Sequence, residues 1–279
     1  MLKPKPKPFL SLHTQISPRI ETFFLREWIE HNLMIGVDKI YLYNWGDFLE
    51  GRSGKFWNKK PYLNYFLEYS DQEIMDFLIE IVSDYKDVSL INWRRDIECQ
   101  SGRARCQVLG YKNCMERYGS KYWMHIDPDE YVLSDTFLTI KDFIKSQDSK
   151  YVKFVMGQKV FGIRKIGHQV RGNIRCDKNF IRGINKCIVR NGHINWRGSC
   201  GRMMHNPKIK DPFNKSEHVF ICSEKDLRYN HYRGTPPDWS REIRKFKGVG
   251  QEKFERMSVS KLRWKDTSMI SFLKRHGKK

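Results

Sequence analysis

No stretch of this chain approaches the roughly 20 consecutive apolar residues that cross a bilayer. The opening Met1-Leu2-Lys3-Pro4-Lys5-Pro6-Lys7-Pro8 lacks the apolar segment of a signal peptide and reads as a short, extended basic arm. A cytoplasmic location is therefore expected, with peripheral contact to anionic lipid left open by the basic surface. Cysteine is sparse and unpatterned: the seven thiols are odd in number, scattered, and form no Cys-x-x-Cys pair. That argues against a disulfide framework and a zinc ribbon, and for free thiols in a reducing compartment. No Pro/Ser-rich linker and no internal repeat divides the chain. Acidic residues are also in deficit, with 32 Asp and Glu against 52 Lys and Arg, a formal charge of +20. Such a surface attracts nucleotides, nucleic acid, acidic glycans or anionic membrane, and charge alone does not choose among them.

What is present is a strand-and-helix alternation over the first half. Phe9 to Ile16 reads as a buried strand, and Glu21 to Ile35 as a helix with Phe24, Leu25, Trp28, Ile29 and Leu33 on one broad face, closed by Gly36. Val37 to Tyr43 is a second strand, and a Gly-, Asn- and Asp-rich loop follows to Lys60. Ser70-x-x-Glu73 is a capping box opening a helix with Ile74, Phe77, Leu78, Ile81 and Val82 inward. Val88 to Trp93, a helix near Arg103 to Tyr118, and the run Tyr122 to Ile126 complete the series. Repeated β-α-β units imply an α/β fold with a mainly parallel central sheet flanked by helices. Beyond Ser134 the regularity fades to a helix near Thr139 to Lys145, strand-like runs at Tyr151 to Met156 and Lys186 to Arg190, and segments expected to be loops that complete a site. The expected organisation is one domain: arm 1–8, nucleotide half 9–133, and acceptor half with a basic tail 134–279.

The tetrad Asp127-Pro128-Asp129-Glu130 follows the Tyr122 strand directly. Two carboxylates one residue apart at the carboxyl end of a strand form a hard-oxygen site for a divalent cation, where open α/β sheets bind ligands. A plain β-turn is the competing reading, since Asp and Pro both favour turns. Arg103 and Arg105, at the start of the third helix, suit a diphosphate clamp, or else a solvated basic face.

Taken together, several blocks resemble the GT-A glycosyltransferases, in particular the group containing glycosyltransferase family 92 and related family 2-like domains. They are Leu25 to His31 with Gly36 to Asn44; Gln107, Cys114 and Arg117-Tyr118; Trp123 to Tyr131; Phe161-Gly162; Lys186 to Arg190; His205; and Asn230-His231-Tyr232. The resemblance spans roughly Phe9 to Phe246, with the blocks in the family's order. It implies a GT-A fold and Mn2+ or Mg2+ held by Asp127 and Asp129, with a histidine completing the shell: His205 by preference, leaving His231 for a phosphate or acceptor contact. Glu130 is either a supporting carboxylate or a cap. Thr14, Gln15, Asn44 and Asp47 are the implied base and ribose contacts, although Ser17-Pro18-Arg19 stands where the family often has Asn-Glu.

The implied reaction is an inverting single displacement. An acceptor glycan hydroxyl attacks the anomeric carbon of a nucleotide sugar, by default a UDP-linked galactose, glucose or xylose, with one carboxylate as general base. Asp211, Glu217 and Asp177 are the alternative candidates for that base, and Trp196 and Trp239 could stack on sugar faces. Two other classes compete. A nucleic-acid or polyanion-binding protein suits the charge, but the chain shows no helix-turn-helix, zinc-finger or ribonucleoprotein pattern. A metal-dependent nuclease or phosphoesterase normally needs more acidic ligands than this stretch supplies.

Overall fold

The computed structural model describes residues 6–44, 69–93, 103–161, 175–196, 206–232 and 264–277. Within them the chain forms, in order, β1 (Leu10–Ile16), α1 (Pro18–Met34), β2 (Lys39–Asn44), α2 (Asp71–Ser83), β3 (Val88–Asn92), α3 (Arg103–Arg117), β4 (Tyr122–His125), β5 (Glu130–Leu133), α4 (Ile140–Ser146), β6 (Lys153–Phe161), β7 (Arg175–Arg190), β8 (Val219–Ile221), β9 (Arg228–Tyr232), β10 (Trp264–Lys265) and α5 (Ser268–Arg275). None of the described helices is long and apolar enough to cross a membrane.

The ten strands form one sheet in the order β3-β2-β1-β4-β7-β6-β9-β5, with β8 beside β6 and β10 beside β7. The first four are parallel, as the β-α-β reading expects. At β4 the sense changes, because its far neighbour β7 is antiparallel, as are the β6–β7 and β5–β9 pairs. The chain leaves β1 for β2 on one side and returns to β4 on the other. That reversal of strand order opens a crevice at the carboxyl ends of β1 and β4.

Alternation along each strand sorts the core into two layers. Leu10, Leu12, Ile40, Leu42 and Met124 face α1, α4 and α5 with Leu25, Trp28, Phe143 and Phe272. Tyr41, Tyr43 and Trp123 face α3, meeting Tyr111, Cys114 and Met115. Because the first cluster draws on residues from Leu10 to Leu273, the two halves of the chain share one core.

Local chemistry sets the ends. α1 begins at Pro18 rather than Glu21, with Pro at the first helical position where its missing N–H costs nothing. Glu21 reaches back to accept from the Ser17 N–H. Gly36 ends the helix at φ +94°, a conformation that side-chain-bearing residues rarely adopt. The Ser70/Glu73 capping box opens α2 as expected. The second half departs from expectation: the Lys186 to Arg190 run is the tail of a 16-residue strand, and β6 extends to Phe161. Polar and glycine residues broke the periodicity there, while pairing on both sides of β6 and β7 overrides their weak strand preference.

Candidate active site

β4 ends at His125, and the chain turns sharply through Asp127-Pro128-Asp129 into β5. Two hydrogen bonds between the same residues close the turn: the Glu130 N–H donates to the Asp127 carbonyl (2.9 Å), and the Asp127 N–H donates to Glu130 Oε2 (2.8 Å). Glu130 thus acts as the cap that was one of its two expected roles. From the α1 side, the Trp28 indole donates to the Glu130 carbonyl at 2.9 Å, and His31 Nε2 lies 2.7 Å from the Val132 carbonyl.

The turn gathers five polar side chains of unequal exposure. Asp127 is 36% exposed, Asp129 16% and His231 17%, whereas Glu130 and Lys186 are 4% and 1%. Only the first three can meet a ligand directly. Lys186, delivered by β7, sets its Nζ 2.7 Å from Asp127 Oδ2 and 2.9 Å from Glu130 Oε2. Burial disfavours the Lys186 ammonium, but Asp127 and Glu130 outweigh it and raise its pKa above the ordinary lysine range. Burial pushes the Glu130 carboxyl up to about 7, against the downward pull of Lys186.

β9 brings in the imidazole. Glu130 and His231 are register partners, so their side chains share a sheet face, and the Tyr232 N–H donates to the Asp129 carbonyl at 3.0 Å. His231 Nε2 thereby comes 3.1 Å from Asp129 Oδ2, while its Nδ1 meets the side-chain amide of Gln158 on β6. Behind the site, His13 and His125 face each other through their Nδ1 atoms at 2.9 Å, and His125 Nε2 lies 3.7 Å from Asp127 Oδ1. Burial drives the His13 pKa down to about 3, Asp127 opposing, so His13 is neutral.

The residues singled out from sequence divide into three sets. Asp127, Asp129 and His231 come together. Thr14 lies in β1 with no accessible surface, Gln15 is 8% exposed and Asn44 3%, all near the crevice mouth but turned into the core. Asp47, His205 and Trp239 lie outside the described residues, as do the side chains of Arg103, Arg105 and Asp177.

Asp211 and Glu217 require correction as base candidates, because they sit at the opposite edge of the sheet. The Lys210 N–H donates to the His193 carbonyl just past the end of β7, where Arg190 pairs with Tyr122 at the start of β4. Glu217 lies in the turn Ser216–His218, whose His218 carbonyl accepts from the Val152 N–H beside the start of β6. Both carboxylates are exposed and far from Asp127. Trp196, another sugar-stacking candidate, packs edge-on against Tyr111 with ring centroids 5.8 Å apart.

Sequence reasoning gave no role to Lys186, Gln158, His13 or His125. A lysine inside the strand-like Lys186-Cys187-Ile188-Val189 run was the one available signal, since a buried ammonium needs an anion beside it.

No family model matches the chain, and no curated protein matches it. Among solved structures, it is similar to a putative glucose-1-phosphate thymidylyltransferase from Bacillus anthracis in complex with a sucrose, at 12% identity over 89% of this chain and 98% of that one, with a TM-score of 0.44. It is similar to S. aureus TarS 1-349 in complex with UDP at 10% identity, covering 96% of this chain and 71% of that one, with a TM-score of 0.42. For HddC from Yersinia pseudotuberculosis the identity is 14%, the coverage 86% and 100%, and the TM-score 0.39. Likenesses this distant carry nothing about chemistry.

Proposed function

We propose that the chain is a metal-dependent glycosyltransferase of the GT-A kind, moving a sugar from a nucleoside-diphosphate donor to a hydroxyl of a glycan acceptor with inversion. The observation that carries this reading is the Asp129–His231 pair beside Asp127, solvent-reaching and set at the carboxyl edge where the strand order reverses. Ligands of open α/β sheets bind in such crevices.

The donor set suits a small divalent cation. Two cis positions of an octahedron with ligands at about 2.1 Å lie about 3.0 Å apart. Asp129 Oδ2 and His231 Nε2 are 3.1 Å apart. Among the described residues no group of three or more His, Cys, Asp or Glu side chains gathers to hold an ion. Two protein donors are what Mg2+ or Mn2+ needs when substrate phosphates and water fill the rest of the shell.

Gln158 supports the same assignment. Its Oε1 is buried without a hydrogen-bond partner, and turning the amide over would let that oxygen accept from His231 Nδ1–H. The tautomer so fixed leaves a lone pair on Nε2 for a metal. When bound, the cation supplies Lewis-acid stabilisation of the charge that grows on the departing diphosphate.

Lys186 neutralises Asp127 and holds it in place, which frees Asp127 to accept a hydrogen bond from the donor ribose or a metal-bound water. α3 runs from beyond β3 to the start of β4, so its first turn, with Arg103 and Arg105, belongs to the same edge and favours phosphate.

The test is thermal unfolding of wild type and Asp129→Ala with a panel of UDP-, GDP- and TDP-sugars, each with Mn2+ and with chelator. A rise for one donor that needs metal and is absent in Asp129→Ala supports the reading and names the nucleotide. No rise with any donor, in a protein that melts cooperatively, overturns it.

A further inference from the structure

The edge of the sheet opposite the carboxylates carries a second feature, built on two aromatic rings. Phe9, just before β1, and Tyr122, opening β4, have ring centroids 5.2 Å apart. Lys121 Nζ lies 5.2 Å from the Phe9 centroid and 5.8 Å from that of Tyr122. Lys145 Nζ lies 5.6 Å from Phe9, and Arg190 Cζ lies 5.6 Å from Tyr122. The side chain of Lys7 runs beside Gly119, close enough that a Cβ there would meet its Cδ at 3.3 Å. Lys7, Lys121 and Lys145 are exposed.

These cations have no carboxylate partner among the described residues. Arg190 donates to neutral groups only: the carbonyls of Ser149 and Tyr151 and the Tyr122 hydroxyl. Of the acids at this edge, Asp38, Asp87 and Asp148 are matched to Lys141, Lys39 and Lys150, Asp142 accepts from the Thr139 hydroxyl that caps its helix, and Asp211 and Glu217 stand exposed beyond the ends of β7 and β6. The surplus around the two rings themselves is therefore positive. The amino-terminal arm leaves from the same place, since the Pro8 carbonyl accepts from the Lys121 N–H (2.9 Å) and the Ser120 hydroxyl (3.2 Å).

We propose that this edge docks the protein on an anionic phospholipid surface, holding the carboxylate site on the side away from the bilayer. The charges are mostly single ammonium groups spread around an edge, which suits a fluid field of headgroups, whereas fixed phosphates are better read by guanidinium forks. Single-stranded nucleic acid is bound by exposed rings on which bases stack. Here Tyr122 is buried and both rings lie under cations. The five residues from Tyr122 to Asp127 set the docking edge and the site roughly 17 Å apart along the strand. A surface-bound enzyme would thus keep its crevice open to substrates from the aqueous side.

Co-sedimentation with vesicles of phosphatidylcholine, alone or mixed with phosphatidylserine, tests this without any assumption about catalysis. Wild type should bind only the mixed vesicles and release as salt rises. Lys7→Gln/Lys121→Gln/Lys145→Gln, which should melt like wild type because all three are exposed, should bind roughly 100-fold more weakly, from about a fivefold loss per charge compounded over three. Equal binding to both vesicle types overturns the proposal, as does full binding by the triple variant. Preference for a single-stranded oligonucleotide over mixed vesicles, lost in the same variant, would also overturn it and assign the edge to nucleic acid.

Discussion

Lys186 Nζ stands 2.7 Å from Asp127 Oδ2, an ammonium with almost no exposed surface holding a carboxylate that is 36% exposed. One end of the pair is fixed by packing in β7 and the other reaches the crevice, so the lysine sets where Asp127 points. Lys186→Met would leave Asp127 and the buried Glu130 without their cation. Removing one partner of a buried pair costs about 3–5 kcal/mol, and urea unfolding should show a loss of that size. A loss below about 1 kcal/mol, typical of surface pairs, would mean the pair contributes little.

Glu130 gives a pH dependence with a definite sign. Its folded pKa is raised to about 7 from the ordinary 4.5, with burial the largest cause. Between those values the folded state holds a proton that the unfolded chain has released, so stability falls as pH rises. The contribution is full below about 4.5 and is lost as pH climbs through about 7. Unfolding free energies measured across that window should decline in wild type, and Glu130→Gln should flatten the slope. A wild-type slope of opposite sign, retained in Glu130→Gln, would refute the assignment.

If Gln158 fixes the His231 tautomer, Gln158→Leu should weaken metal binding about 10–100-fold, the usual effect of removing a group that orients a ligand. The readout is the Mn2+ concentration needed to raise the melting midpoint in the presence of the donor nucleotide. Gln158→Glu, which also accepts from Nδ1–H, should restore much of it. Unchanged metal affinity in Gln158→Leu would show that His231 needs no such support.

Trp28→Phe removes the indole donor to the Glu130 carbonyl while keeping most of the ring in the core. An acceptor left unsatisfied at a buried position costs about 1–3 kcal/mol, and denaturant unfolding should register that range. No change would mean that another donor takes the carbonyl over.

The parallel half was legible because each of its elements is locally consistent. The apolar alternation of β1 and β2, the Ser70/Glu73 box and the Gly36 stop all point to the structure that forms. The carboxylate turn was legible for the same reason, as it lies beside the strand that aims it. Lys186, Gln158 and His231 were harder, since strand pairing between residues far apart in the chain brings them to the turn. Favouring Asp211 and Glu217 reflects that difficulty: sequence order gives no register, and register sets His231 opposite Glu130, next to Asp129, while those two carboxylates lie at the far edge.

The change of strand sense at β4 has a consequence for how the protein is made. Everything that pairs on one side of β4 has been synthesised by the time β4 itself emerges, but its other edge waits for β7, and Asp129 waits for His231, 102 residues later. At about 5–20 residues per second the ribosome takes roughly 3–13 s to run from β4 to its partners Ile188 to Arg190 on β7. During that time, the nascent chain presents an apolar strand with one open edge, the kind of surface that invites pairing with another chain. Closing that edge thus falls to a strand from the other half of the chain, which a closed amino-terminal module would not require.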